Sequence, residues 1–241
     1  MAGRVAYYGN IVKDGLVLDL DAAKRDSYPK SGTVWRDISG NNYTGSLTNG
    51  PTFSSTNYGS IGFDGVDDYV DCGNILNPNL SSQTISVWCK NNTLGVVEAI
   101  ISKGNRTSAT IGCSIFIDST NSLIIRVNAD GTTTQRASQS IPFTNTTTYF
   151  NVTMVIDRTA NTVLGYYNGS NSSWSSGGGG PSSNSISGFS TINTATSLTI
   201  GQVESLNYLN GSISQVQIYN RALSTTEILQ NYNATKGRYG L

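Results

Sequence analysis

The chain of 241 residues contains no histidine, which removes the commonest general base from its chemistry. Neither a Ser-His-Asp nor a Cys-His relay can be assembled, and imidazole-based metal sites are excluded. The three glutamates, Glu98, Glu204 and Glu227, stand far apart, so the one dense group of carboxylates is Asp64, Asp67, Asp68 and Asp71. Hard oxygen ligands at that spacing suit calcium. The favoured reading of the same residues is a plain turn, in which Asp64 and Gly65 reverse the chain and Asp68 holds a strand end, so no metal is expected. Three cysteines, Cys72, Cys89 and Cys113, cannot all pair within one chain and match no zinc spacing, so reduced, buried thiols are expected.

Positioning such groups falls to β-strands. Charged residues make up only 12% of the chain, and Gly, Ser, Asn and Thr take their place, a composition of short strands and many turns. Apolar side chains alternate with period two in Leu16, Leu18 and Leu20, with Asp19 and Asp21 on the opposite face. The same alternation runs through Ile85, Val87 and Cys89, with Trp88 opposite, and through Phe150, Val152, Met154 and Ile156. Further strands are predicted at 115–117, 123–127, 163–167, 198–200 and 213–219. Turn dipeptides such as Asn168-Gly169 and Asn210-Gly211 separate them. Ser224-Thr225-Thr226-Glu227 is a capping box that opens a single short helix near the C-terminus. Residues 170–187 are too rich in Ser, Gly and Asn to repay ordering and read as a long loop.

Formal net charge is zero, so no field gathers phosphate backbones or anionic lipid, and neither nucleic acid nor a membrane is expected as a partner. Residues Met1 to Gly15 lack the continuous apolar core of a secretory signal, so synthesis in the cytosol is expected. Many Asn-x-Ser/Thr triplets follow from composition alone and do not imply glycosylation.

Two segments carry a family resemblance. Phe63-Asp64-Gly65-Val66-Asp67-Asp68-Tyr69-Val70 resembles the FDGxDDYV segment of laminin-G-like jelly rolls within the concanavalin A-like lectin and glucanase superfamily. Gly211 to Ser224, running on to Glu227-Ile228, is similar to that family's closing strand and capped turn. The expected fold is all-β: a two-sheet antiparallel jelly-roll sandwich, concanavalin A-like, with one short C-terminal helix. An N-terminal arm over residues 1–14 precedes one domain over 15–241. The segments Ile11 to Tyr28 and Tyr232 to Leu241 also resemble stand-alone proteins of tailed bacteriophages.

The resemblance implies where function would lie. The superfamily's β-glucanases share a Glu-x-Asp-x-x-Glu strand that supplies the two carboxylates glycoside hydrolysis needs, and no such pattern occurs here. No catalytic residue and no cofactor is expected. Family members that bind calcium often carry acids in the closing strand, where this chain has Ser214 and Gln215. Lectin relatives stack aromatic rings on sugar faces. Trp174, in the polar loop, is the first candidate for that role, with folding back onto the sheet as its alternative. Trp88 is the second, with core packing as its favoured reading, and Tyr167 of the Tyr166-Tyr167-Asn168-Gly169 turn is the third. Trp35 is assigned to packing. In the arm, Val5, Tyr7, Tyr8 and Ile11 need an apolar partner, either the domain's own edge or a neighbouring protein reached by strand addition. The expected function is a non-enzymatic virion structural protein, in capsid decoration or a fibre, that also adheres to host glycans. Its partners would be other virion proteins, cell-surface glycans and copies of itself. A bacterial carbohydrate-binding module is the rival reading and a glycoside hydrolase the distant one.

Overall fold

A computed structural model describes residues 10–77, 80–104, 111–129, 136–176, 184–203 and 205–241. Sixteen strands run in the order β1 (Leu16–Asp21), β2 (Val34–Arg36), β3 (Thr44–Thr48), β4 (Thr52–Ser54), β5 (Ser60–Asp64), β6 (Tyr69–Asp71), β7 (Gln83–Asn91) and β8 (Glu98–Lys103). They continue as β9 (Gly112–Ile117), β10 (Ser122–Asn128), β11 (Arg136–Pro142), β12 (Phe150–Asp157), β13 (Thr162–Tyr167), β14 (Ser175–Ser176), β15 (Leu198–Ile200) and β16 (Asn210–Tyr219). Helix α1 (Thr225–Thr235) and a short 3-10 turn over Lys236–Tyr239 close the chain. Among the described residues no helix is long and apolar enough to cross a membrane.

The strands form two antiparallel sheets. One has seven strands in the order β13-β12-β7-β16-β5-β4, with β1 also paired to β16. The other has nine, in the order β14-β11-β10-β9-β8-β15-β6-β3-β2. Their facing sides make one core that contains Leu18, Leu20, Ile85, Val87, Ile115, Ile125, Val152 and Val216. Each such side chain contributes about 1.5–3 kcal/mol on burial, so the sandwich is the cheapest arrangement in which every alternating strand hides its apolar face. All the strands expected from alternation are present. Cys72, Cys89 and Cys113 are free and buried, as expected.

The segment 63–70 is not a hairpin. Phe63 and Asp64 end β5 in the seven-stranded sheet, whereas Tyr69 opens β6 in the other, so the intervening turn is a corner between sheets. Gly65 takes φ 81°, a left-handed conformation that also lets it pass Asn210, whose Cβ lies 2.9 Å from where a Gly65 Cβ would stand.

Alternation misassigned one face of β1. A bulge between Leu16 and Leu18 sends Leu16 outward into a second cluster with Tyr219, Leu223 and Ile228. Asp19 and Asp21, expected on the solvated face, are 0% and 2% exposed. The cause is α1 and the final turn, which lie over the outer face of the seven-stranded sheet. The helix begins where the sequence placed it: Ser224 Oγ accepts from the Glu227 N–H, and the Glu227 carboxylate accepts from the Ser224 N–H. The loop after β13 contributes the short edge strand β14, paired to β11, and residues 177–183 of it lie outside the described residues.

Candidate functional site

The seam between the C-terminal segment and the β1–β2 connection carries two adjoining concave surfaces. Asp21 ends β1, and its Oδ1 accepts from the Ala23 N–H at 3.0 Å, which starts a tight turn into Lys24. Arg238 reaches back across the seam with Nη1 to Asp21 Oδ2 at 3.1 Å and Nη2 to Asp21 Oδ1 at 3.0 Å. Arg238 Nη2 also donates to Ser214 Oγ at 3.1 Å, Tyr239 Oη donates to the same oxygen at 2.9 Å, and Ser214 Oγ donates to the Gly59 carbonyl at 2.9 Å. One β16 hydroxyl therefore ties the final turn to the 3-10 turn Thr56–Tyr58.

That second tie fixes Tyr58. Gly59 adopts φ 147° and packs so closely on the chain just after β1 that a Cβ there would lie 2.4 Å from the Ala22 carbonyl oxygen, so only glycine fits. Asn57 and Tyr58 precede it at φ 52° and φ 71°. A tyrosine in the left-handed region is held there by its surroundings. The result is a ring that is 73% exposed and stands over a depression of about 500 Å³ lined by Lys24, Asn233, Gly237, Asp21 and Arg238. An adjoining depression of about 480 Å³ shares Asp21, Lys24 and Arg238 and adds Asn10, Lys13 and Gln215.

Gln215 is 2% exposed, and its Nε2 donates to Asp19 Oδ1 at 3.0 Å. Its Oε1 and Asp19 Oδ2 have no hydrogen-bond partner among the described residues, nor has Arg238 Nε. Burial raises the Asp19 carboxyl above its ordinary value, opposed by the Gln215 bond. Gln215, which lines the adjoining depression, and Arg238, which lines both, therefore each keep one buried polar atom without a partner.

A family model described as "Concanavalin A-like lectin/glucanases superfamily" matches residues 64–229. The chain belongs to that superfamily. No curated protein matches the chain by sequence. Among solved structures, this laminin-G-like sandwich is similar to the binding domain of Paraclostridial Mosquitocidal Protein 1, with TM-score 0.70 at 17% identity over 92% of this chain and 52% of that one. It is similar to the binding domain of Botulinum Neurotoxin DC in complex with SialylT, with TM-score 0.69 at 18% identity over 92% and 52%. A Trypanosoma rangeli sialidase in complex with sialic acid aligns with TM-score 0.64 at 13% identity over 93% and 34%. The chain thus spans about half the length of the toxin binding domains it matches.

The aromatic candidates read from the sequence of this superfamily member do not converge on the groove. Trp88 is 3% exposed: it stacks between Tyr232 and Tyr239 at centroid distances of 5.6 and 4.1 Å, and its Nε1 donates to Thr235 Oγ1. It packs the C-terminal segment onto the sheet and lines no groove. Trp174 is folded back on β13, so close to Gly165 that a Cβ there would meet its ring at 2.5 Å. Tyr167 stacks on Phe150 at 5.6 Å and is half-buried. Trp35 is fully buried, in keeping with its assignment to packing. Ile11 packs with Val12 on the outer cluster of Leu16, Tyr219 and Ile228, so this part of the arm finds its partner in its own domain. Hydrogen bonds from Gln230 Nε2 to the Asn10 carbonyl and from the Val12 N–H to Asn231 Oδ1 fasten it there. Val5, Tyr7 and Tyr8 lie outside the described residues.

Among the carboxylates, Asp64, Asp67 and Asp68 bring oxygens within 4.8 Å of one another. Two of them do the structural work expected of a turn: Asp64 Oδ1 accepts from the Val66 N–H, and Asp68 Oδ2 accepts from the Asp64 N–H. Glu227 is tied to Arg221 at 2.6 Å, Glu98 is buried, and Glu204 lies outside the described residues. Sequence reasoning missed Tyr58, Lys24, Asn233 and Arg238. The available signal was a tyrosine set between Asn57 and Gly59 in a polar turn, where no strand pattern claims it.

Proposed function

We propose that this protein is a non-enzymatic glycan-binding module whose site is the groove between the β1–β2 connection and the C-terminal turn. The observation that carries the reading is Tyr58, a 73% exposed ring on a left-handed backbone, fixed over a depression lined by amide, ammonium and guanidinium groups. A sugar presents an apolar face to such a ring and hydroxyls to the groups around it. The Lys24 ammonium and the Asn233 amide, which line the same depression as Tyr58, are hydrogen-bonding groups for those hydroxyls. Structures of this fold in complex with SialylT and with sialic acid support glycans as the ligand class. The absence of histidine and of a paired-carboxylate strand supports binding without hydrolysis.

The test is a glycan array that includes neutral and sialylated oligosaccharides, followed by calorimetry on the best ligand. Tyr58→Ala is expected to weaken binding by about fivefold or more, since an aromatic stacking contact contributes about 1 kcal/mol or more. Unaltered affinity in that variant would remove the groove from consideration, and an array with no bound glycan would remove the function.

The module's setting in this proposal is the surface of a tailed-phage virion, as capsid decoration or a fibre component assembled in the host cytoplasm. The supporting feature is the resemblance of residues 11–28 and 232–241 to stand-alone phage proteins, two segments that meet at the Asp21–Arg238 pair. Mass spectrometry of purified particles tests it: the protein must be present as a structural component. Its recovery only from the medium of uninfected cells would favour a bacterial carbohydrate-binding module.

A further inference from the structure

A separate depression of about 280 Å³ opens where β8 and β16 begin and the turn after β5 passes. Its floor is Glu98, 2% exposed, whose Oε1 accepts from Thr93 Oγ1 at 2.6 Å and from the Asn210 N–H at 2.9 Å. Its Oε2 makes no hydrogen bond among the described residues, and no ion pair within them reaches Glu98. Burial pushes the carboxyl up while Thr93, Asn210 and Asn91 favour the charge. An unpaired carboxylate oxygen buried in the wall of a depression is costly, and a cation seated against it would relieve the cost.

The walls say which cation. Val96 and Leu206 flank the opening at 48% and 77% exposure, Tyr208 adds an aromatic ring, and Asp64 adds a second carboxylate. A hard metal ion needs six or more oxygens around it, and Glu98 stands outside the Asp64, Asp67, Asp68 group. A long side chain with an apolar stem and a charged head matches such a mixture: the stem lies along Val96 and Leu206, and the head meets the carboxylates. A planar guanidinium can bond two carboxylates at once and stack on a ring, which an ammonium cannot.

We propose that this depression is a socket for an arginine side chain presented by a partner protein, with Glu98 and Asp64 as its anionic receptors. It is independent of the glycan groove. The probe is acetyl-arginine methylamide, titrated into the full-length 15N-labelled protein while the amide resonances of Asn210 and Gly65 are followed. Saturable shifts with a dissociation constant in the millimolar range are expected, with weaker binding of acetyl-lysine methylamide. Glu98→Gln keeps the acceptor for Thr93 and Asn210 and is expected to weaken binding at least tenfold, while Tyr58→Ala leaves it unchanged. Should Glu98→Gln not fold, Asp64→Asn is the second variant and is expected to weaken binding severalfold. The proposal is overturned if the probe produces no saturable shift, if neither variant changes its affinity, or if calcium chloride occupies the same site and displaces it.

Discussion

Arg238→Met tests whether the C-terminal turn is held by its ion pair or merely rests on the sheet. Methionine keeps much of the aliphatic stem, so the change removes mainly the guanidinium. In the native protein that group makes two bonds to Asp21, which is 2% exposed, and one to Ser214. Removing one partner of a buried pair costs about 3–5 kcal/mol when the other is left without compensation. Compensation here is partial: Asp21 Oδ1 keeps the Ala23 N–H at 3.0 Å, and the Lys24 ammonium stands 3.8 Å from Oδ2. A loss of about 2–3 kcal/mol is therefore expected. At about 2–4 °C per kcal/mol for a chain of this size, the melting temperature should fall by about 4–12 °C in a calorimetric scan. A double-mutant cycle with Asp21→Asn separates the pair from loss of packing, and a coupling of about 1–3 kcal/mol is expected. A melting temperature within about 1 °C of the unmodified protein, or strictly additive single effects, would refute the reasoning.

Four further outcomes follow from particular contacts. Ser224→Ala removes the cap of α1 and should cost about 1 kcal/mol in urea unfolding, and an unchanged midpoint would mean the cap is idle. The adjacent Glu227 carboxyl is held at about 2, below its ordinary 4.5, first by the Arg221 hydrogen bonds and also by Ser224. A depressed carboxylate stabilises fully above the unfolded value, so the difference between the unmodified protein and Glu227→Gln should be constant above about pH 4.5 and shrink as the pH falls toward 2; growth on acidification contradicts it. Gly165→Ala places a Cβ 2.5 Å from the Trp174 ring and should displace that ring into solvent, giving a red-shifted tryptophan emission; an unaltered spectrum counts against the close packing. Burial pushes the Cys72 and Cys113 thiols up to about 12 and Cys89 well above its ordinary value, so Ellman's reagent should find all three only after denaturation, and reaction in the native protein would contradict their burial.

Period-two alternation, turn dipeptides and a capping box are local signals, and they located the strands, turns and helix start of their own segments. The core strands around Ile85, Ile115 and Val152, the start of α1 at Ser224 and the buried thiols were all legible because neighbouring residues in the chain decide them. Alternation divides a strand into two faces without saying what covers the second one. Asp19 and Asp21 looked like residues of an open face and are buried, and a segment some two hundred positions later reaches them: Arg238 bonds Asp21 over a separation of 217 residues. The same non-local packing creates the groove and presents Tyr58, whose exposure depends on Gly59 pressing against Ala22 and on one hydroxyl of β16. Fold class was a property of the pattern. The site was a property of which distant segments meet, and only the folded chain decides that.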